Sequence, residues 1–492
     1  MAAAAAEGLE DGGGLGRRGR LVGLWLGPAL ALALQLAGAP EGLSREAWIT
    51  VSVLTLMITW WVTDAIPMAA TALIPLVALP LFGVASAAET ARPYADPILF
   101  LFIGGFMIAA AIERWSLHAR IALQIACAVG TRPAALIGGF LLATVLLSLW
   151  ISNTATALML TPIAVGVVRA MREHGYDDPR FGAGLVLAIA YGASVGGMGT
   201  PVGSPTNLIA MGFLEDRGIA LSFGQWVTLG LPVVVLLTPV LFGLTAWGLR
   251  RATAGEAALG RSVLQDALAA LGPLRSGEAR VLAVFLLVAA AWMTRELLIR
   301  IPGLERLTDM AIAVGGALLL FLLPSGDRTG ERPRLLDWNT AERIPWAIVL
   351  LFGGGLSVAA AMESTGLSDW LAGELSPLQG FAPLVVIAVL LLVTLLATEL
   401  MSNVASLTAM LPIVAALAAA LEINPLLLVF PVSIAASLGF MLPIATAPNA
   451  IAFATGLPSL RRMLAVGFVL NLAGVAAILL VNALLAPAVL AG

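Results

Sequence analysis

Two apolar stretches of this chain, residues 134–171 and 383–420, are each about 38 residues long and carry a Ser-Asn pair near the middle. A helix needs about 20 apolar residues to cross a bilayer, so each stretch is too long for one span. Backbone polar groups at bilayer depth are costly unless they are packed in protein or face water. The pattern therefore predicts a helix, a break and a second helix in each stretch, arranged either as two full crossings or as a re-entrant hairpin.

The rest of the composition places the chain in a membrane. Of its 492 residues, 60% are apolar and 11% are charged, whereas a soluble domain has roughly a quarter charged residues. The net charge of −3 gives no reason to expect a nucleic-acid partner. The single cysteine, Cys127, excludes an internal disulfide and a cysteine-based metal cluster. The two histidines, His118 and His174, do not form a ligand pair.

Hydropathy and charge divide the chain into segments. Residues 1–20 are predicted to be a disordered N-terminus and 21–37 a first transmembrane helix, with the arginines just before it placing the N-terminus in the cytoplasm. The charged segment 250–278 is predicted to be a cytoplasmic linker. It separates a first repeat, 47–249, from a second repeat, 279–489.

The two halves share sequence. The motif at 104–113, G-G-F-M-I-A-A-A-I-E, matches G-G-L-S-V-A-A-A-M-E at 354–363, and the same offset carries the first Ser-Asn pair onto the second. A slightly smaller offset places G-S-P-T-N at 203–207 on A-T-A-P-N at 445–449. Collinear matches of this kind indicate an internal duplication.

Arginine positions predict opposite orientations for the two hairpins. The first stretch is flanked on both sides by arginine, whereas residues 364–424 contain none. Under the positive-inside rule, the base of the first hairpin lies in the cytoplasm and that of the second lies outside. Two full crossings would instead alternate the flanking charge. The chain is therefore predicted to be an inverted repeat, a design that binds substrate near the midplane, between the repeats.

The breaks carry groups suited to ions. A helix that restarts after Asn153 or Asn403 points free N–H groups and a positive dipole end towards the break, which favours an anion. Ser148 and Thr398 lie one turn earlier and offer hydroxyls, unless these bond back to their own helix. Two further breaks are predicted from the Gly and Pro of M-G-T-P-V-G-S-P-T-N at 198–207 and M-L-P-I-A-T-A-P-N at 441–449, and none of the four breaks contains Arg or Lys. Co-bound cations would then offset the charge of a buried anion, because burying an unpaired charge is costly.

Acidic residues in or beside the predicted spans are further candidates. Glu113 and Glu363 lie near predicted helix ends and are expected at the interface. Glu399 directly follows Thr398. It is predicted either to hold the hairpin by hydrogen bonds or to tune cation binding.

At these motifs the chain resembles the divalent anion/sodium symporter family, which includes sodium-coupled dicarboxylate and citrate transporters. The resemblance runs from W-W-V-T-D-A-I-P at 60–67 to F-M-L-P-I-A-T-A-P-N at 440–449, and includes S-N-T at 152–154 and S-N-V at 402–404. It implies an all-α polytopic protein with about 11 transmembrane helices, two re-entrant hairpins, and scaffold and transport domains that work as an elevator. It also implies a homodimer, with sodium as the coupling ion and no organic cofactor.

The resemblance implies particular site residues. The first sodium site would use Ser148, Ser152, Asn153 and the backbone of Gly203. The second would use Thr398, Asn403 and the backbones of Met401 and Ala445. Substrate carboxylates would meet Ser152, Asn153, Thr154, Ser204, Pro205, Ser402, Asn403, Val404, Thr446 and Ala447. Two of these depart from the family pattern, since Val404 replaces the usual threonine and Ala447 replaces a common proline.

The function predicted from the sequence is sodium-coupled symport of C4-dicarboxylates, such as succinate, malate and fumarate, across the cytoplasmic membrane of a bacterium. Alternatives are a sodium-independent dicarboxylate exchanger, a symporter for citrate or sulfate, and, in a different class, an anion channel. The spans contain no nucleophile–His–acid set, metal-ligand spacing or phosphate-binding loop. The chain is therefore not expected to be an enzyme.

Overall fold

The computed structural model describes residues 17–130, 132–173, 175–249, 254–326 and 334–491. The predicted disordered N-terminus lies outside this part of the chain up to residue 16, as do His174 and the start of the linker. The first helix begins at Arg17, so the prediction of disorder up to residue 20 was wrong for the last four residues. The arginines extend the helix beyond the apolar segment, which a hydropathy pattern does not reveal.

Thirteen α-helices precede residue 271 in the described residues, the last of them within the predicted linker. They are α1 (Arg17–Ala37), α2 (Arg45–Thr63), α3 (Met68–Thr71), α4 (Ile74–Leu81), α5 (Ala87–Ala91), α6 (Pro97–Arg114), α7 (Leu117–Val129), α8 (Pro133–Ser148), α9 (Asn153–Glu173), α10 (Pro179–Gly197), α11 (Pro205–Glu215), α12 (Phe223–Ala246) and α13 (Ala254–Ala270).

The second half contributes eleven more helices to the described part. They are α14 (Ser276–Met293), α15 (Arg295–Leu298), α16 (Asp309–Leu322), α17 (Trp338–Ala341), α18 (Trp346–Ser364), α19 (Leu367–Leu375), α20 (Pro383–Leu400), α21 (Asn403–Ala420), α22 (Leu426–Ala435), α23 (Ala447–Ala454) and α24 (Leu460–Ala491).

The helices confirm the predicted all-α polytopic class. Within the described residues, eleven helices are long and apolar enough to cross a membrane. Helix α1 is only 11% buried along its apolar window, whereas α10 is 94% buried. A helix that is apolar on all sides and covered on all sides is an interior helix. Helix α10 therefore forms the centre of the bundle, and it packs against α8 and α12.

Both predicted hairpins contain the expected break. Helix α8 ends at Ser148 and α9 begins at Asn153, while α20 ends at Leu400 and α21 begins at Asn403. The serine of each Ser-Asn pair accepts a hydrogen bond from the backbone N–H three residues later, at 3.2 Å in both cases. Serine is a strongly preferred helix N-cap for this reason. The Ser-Asn pair thus starts the second helix of each hairpin.

The other two breaks, which face the Ser-Asn tips of the hairpins and are called the facing breaks, are longer. Helix α10 stops at Gly197, and the chain runs through a 3-10 turn at Pro201–Gly203 before α11 begins. Helix α22 ends at Ala435, although the apolar sequence continues to residue 443. Leu438, Phe440 and their neighbours are apolar but not helical. Hydropathy reports burial and does not report where the backbone leaves the helix.

Candidate functional site

The four breaks meet at one cavity. It has a volume of about 680 Å³, and its walls include residues of both Ser-Asn tips and of both facing breaks. All ten residues predicted to meet the substrate line it, namely Ser152, Asn153, Thr154, Ser204, Pro205, Ser402, Asn403, Val404, Thr446 and Ala447. Residues almost 300 positions apart are thereby brought together.

The eight predicted cation ligands fall into two groups. Five line the cavity, namely Ser152, Asn153, Gly203, Asn403 and Ala445. The others lie behind the tips, with Ser148 and Thr398 fully buried and Met401 at the end of α20. Each half therefore places a buried hydroxyl just behind a cavity-lining asparagine.

In the first half, neutral oxygens gather around the Ser-Asn tip. The Ser148 hydroxyl donates to Asn153 Oδ1 at 2.6 Å instead of bonding back to its own helix. A Cβ atom placed on Gly197 would lie 2.6 Å from Asn153 Oδ1 and 3.0 Å from the Gly203 carbonyl oxygen. One placed on Gly203 would lie 3.0 Å from the Ser148 carbonyl oxygen. Uncharged oxygens of this kind suit a small hard cation.

The second half repeats this arrangement. The Thr398 hydroxyl lies 2.9 Å from Asn403 Oδ1 and 2.5 Å from the Ala436 carbonyl oxygen, again without a bond to its own helix. A Cβ atom on Gly439 would lie 3.1 Å from the Cβ of Ala445 and 3.4 Å from the Thr398 carbonyl oxygen. The two Ser-Asn tips thus have matching surroundings.

Two asparagines that the sequence analysis did not assign hold the facing breaks in shape. Asn207 Nδ2 donates to the carbonyl oxygens ten and seven residues earlier, at 2.8 and 2.7 Å. Asn449 Nδ2 does the same in the second half, at 2.8 and 2.9 Å. Both side chains are fully buried. Each amide thereby ties together two backbone carbonyls at its break. The sequence feature that could have identified them is that each stands at the end of one of the two aligned motifs.

Glu399 is a hydrogen-bond acceptor that links three elements. Its carboxylate, on α20, accepts the backbone N–H groups of Met441 and Leu442 at 2.8 and 3.0 Å and the side-chain amide of Asn471, on α24, at 2.9 Å. The residue is 6% exposed. Leu149 occupies the equivalent position in the first half, so the acid belongs to one half only. Glu399 was predicted either to hold the hairpin by hydrogen bonds or to tune cation binding, and the structure shows the first of these roles.

The cavity wall also contains charged residues from outside the four breaks. Arg114 and Glu113 come from the end of α6, and Arg343 comes from the segment before α18. The sequence predicted a site without basic side chains. That holds for the breaks themselves but not for the cavity as a whole, because segments distant in sequence complete its wall.

Comparison with known proteins assigns the family. A model of the sodium:sulfate symporter transmembrane region matches residues 20–490. The chain belongs to this family. The predicted resemblance to the divalent anion/sodium symporters is therefore confirmed. Members of the family are transporters, so this chain is a multi-pass membrane transporter and not an enzyme.

Full-length relatives within the family are found in staphylococci. The chain is 38% identical over 480 residues to the sodium-dependent dicarboxylate transporter SdcS of Staphylococcus saprophyticus, covering 96% of this chain and 92% of that protein. It is 36% identical over 485 residues to the SdcS of Staphylococcus aureus, with the same coverage.

A solved structure shares the fold. The YdaH transporter of Alcanivorax borkumensis superimposes with a TM-score of 0.56 and 14% identity, over 89% of this chain and 98% of that chain. This likeness supports the helical membrane architecture alone.

Proposed function

We propose that this chain is a secondary active transporter that carries C4-dicarboxylates such as succinate, malate and fumarate into a bacterium together with sodium. The observation that carries the proposal is the convergence of both Ser-Asn tips and both facing breaks on one cavity. The staphylococcal relatives, which are sodium-dependent dicarboxylate transporters, support the same class of substrate and the same ion.

The cavity is suited to an anion. Helices α9, α11, α21 and α23 all begin at residues that line it. Each helix start offers unpaired N–H groups and the positive end of a helix dipole. The amide nitrogen of Asn153 remains available as a donor, because its oxygen accepts the Ser148 hydroxyl hydrogen. Asn403 Oδ1 likewise faces the Thr398 hydroxyl at 2.9 Å, which leaves its amide nitrogen to the cavity. We assign the ten cavity-lining residues of the tips and breaks to carboxylate binding.

Two sodium ions would complete the site. We place the first among the oxygens of Ser148, Ser152, Asn153 and Gly203, and the second among those of Thr398, Met401, Asn403 and Ala445. Each asparagine then contacts a cation through its oxygen and the substrate through its nitrogen. A cation that orients the asparagine thereby favours binding of the anion, which couples the two movements.

We further propose that residues 47–249 and 279–489 are inverted repeats, with the N-terminus and the segment 250–278 in the cytoplasm. The first hairpin would then enter from the cytoplasmic side and the second from outside. A homodimer and an elevator-type movement of a transport domain, both implied by the family resemblance, belong to the same proposal. The membrane would be the bacterial cytoplasmic membrane.

Reconstitution tests the proposal. Purified protein in proteoliposomes should accumulate labelled succinate against its gradient when sodium is outside, and replacement of sodium by choline should abolish the accumulation. Uptake that persists in choline but requires internal dicarboxylate would indicate an exchanger. Flux that runs only downhill would indicate a channel. A competition panel with malate, fumarate, citrate and sulfate would identify the preferred anion.

Val404 is expected to influence which anion is preferred. Its side chain lines the cavity and packs against a cluster of buried apolar residues. Val404→Thr adds a hydroxyl donor at nearly constant volume, so the apparent KM for succinate should fall about threefold relative to that for citrate, as expected for one added hydrogen bond. Inhibition of succinate uptake by citrate measures this ratio. Val393→Thr, on the exposed face of α20, is the control. An unchanged ratio in Val404→Thr would show that Val404 does not influence anion selectivity.

Glu399 is expected to position the second cation site. Glu399→Gln replaces one carboxylate oxygen by an NH₂ group, which cannot accept a backbone N–H, so one of three hydrogen bonds is lost in a buried place. The sodium concentration for half-maximal uptake should rise about tenfold, the effect of an unsatisfied buried donor. A sodium titration of succinate uptake measures it. Glu363→Gln is the control, because the Glu363 side chain is 61% exposed. A titration curve that coincides with that of the parent would contradict the role.

A further inference from the structure

The two arginines of the cavity differ in what they contact. Arg114 pairs with Asp337 and donates to the Thr340 hydroxyl at 3.0 Å, and only 9% of its side chain is exposed. Arg343 is exposed. Among the described residues, no carboxylate lies within ion-pair distance of Arg343. Glu113 lines the same cavity, but it does not form an ion pair with Arg343. The guanidinium charge of Arg343 is therefore left for a group that enters the cavity.

The first Ser-Asn tip is rich in hydrogen-bond donors. Ser152 and Thr154 both line the cavity and carry hydroxyls, whereas the Ser204 hydroxyl in the facing break is engaged with the Thr206 hydroxyl at 2.8 Å. The Ser152 oxygen accepts only the backbone N–H of Ala155, at 3.2 Å, so its hydrogen remains available. Together with the amide of Asn153, these groups can satisfy one carboxylate.

The second tip has fewer donors. The Ser402 hydroxyl donates to the sulfur of Met68 at 3.2 Å, which removes its hydrogen from the cavity. Val404 and Ala447 have no polar side-chain atom. The Asn403 amide and the Thr446 hydroxyl remain. A carboxylate at this tip would lack partners for part of its charge, and leaving such a group desolvated and unpaired is costly.

We propose that Arg343 completes the site by contacting the second carboxylate of the bound substrate. A guanidinium group presents five N–H donors in a planar fork that matches a carboxylate. It thus supplies the donors that Ser402, Val404 and Ala447 do not. This inference rests on the proposed function, since it concerns the same site and a dicarboxylate substrate.

The consequence is a preference for two negative charges. Removing the charge of Arg343 weakens the binding of a dianion and has little effect on a monoanion of the same shape. Because Arg343 is exposed to water, the change expected for one ion pair is about threefold to fivefold. Rising ionic strength should reduce it.

The test compares succinate with succinamate, in which an amide replaces one carboxylate. Inhibition constants of both compounds against labelled succinate are measured on purified full-length protein in saturating sodium. In Arg343→Gln the ratio of the succinamate constant to the succinate constant should fall about threefold to fivefold. Arg343→Lys should preserve most of the ratio, because it retains the charge. Arg306→Gln, which changes an exposed arginine outside the cavity, should leave the ratio unchanged.

The outcomes separate this inference from the function on which it rests. An unchanged ratio in Arg343→Gln, with succinate binding intact, overturns the contact with Arg343 and leaves dicarboxylate transport standing. If the ratio falls in Arg343→Gln and is equally low in Arg343→Lys, the contact with Arg343 is also overturned, because the positive charge would then not be the cause. A parent protein that binds no dicarboxylate overturns both. A sodium half-saturation constant that stays at the parent value in Arg343→Gln supports a local effect on the anion.

Discussion

Asn153→Ala and Asn403→Ala are each expected to abolish sodium-driven uptake of succinate while the protein is still produced and inserted. Each asparagine lines the cavity, and its side-chain oxygen faces a buried hydroxyl, at 2.6 Å in the first half and 2.9 Å in the second. Alanine removes a contact to a proposed cation and a contact to the anion together. Since hydrogen bonds to charged groups contribute about 1.5–3 kcal/mol each, the two losses should lower uptake by about a hundredfold or more.

Uptake into proteoliposomes at equal protein content measures this effect. Asn339→Ala is the matched control, because Asn339 is exposed and does not line the cavity. The melting temperature in detergent shows whether a variant that has lost uptake is still folded. A parent-like rate in Asn153→Ala or in Asn403→Ala would exclude that asparagine from the site.

Gly197→Ala is expected to disrupt the first cation site with the addition of one carbon atom. The new Cβ would lie 2.6 Å from Asn153 Oδ1 and 3.0 Å from the Gly203 carbonyl oxygen, and α10 is buried on all sides. Overpacking of a core typically costs about 1–3 kcal/mol. Here the displaced atoms are the proposed ligands, so the sodium concentration for half-maximal uptake should rise about tenfold or more.

Gly243→Ala provides the control for this substitution. Gly243 also lies in a long helix, α12, but a Cβ there would meet nothing within 4 Å. Alanine favours a helix over glycine by about 1 kcal/mol, so this variant should be as stable as the parent or slightly more stable. Equal sodium titrations for the two variants would show that the first cation does not bind beside Gly197.

The breaks in the helices could be predicted from the sequence because the membrane enforces a local rule. Each span must satisfy its own backbone hydrogen bonds, so an apolar stretch of twice the necessary length with Ser-Asn at its centre has to turn there. The same rule predicted the all-helical class and the two Ser-Asn tips. It did not locate the end of α22 at Ala435, because the residues that follow are just as apolar.

The cavity-lining tips could likewise be predicted, since the motifs carry both the break and its polar groups. The residues that support them could not. Asn207 and Asn449 lie within the two aligned motifs, but nothing local shows that each amide bonds to carbonyls ten and seven residues earlier. Glu399 meets partners 42 and 72 residues away, and no periodicity reports such a distance.

What the sequence by itself determined is the set of elements: helices long enough to cross a membrane, four places where they break, and the polar groups at each break. What only the tertiary structure decided is which distant side chains share a space, including the close approach at Gly197 and the presence of Arg343 in the cavity wall. The physical reason is that helix formation depends on neighbours within one or two turns, whereas a binding site depends on how whole helices pack.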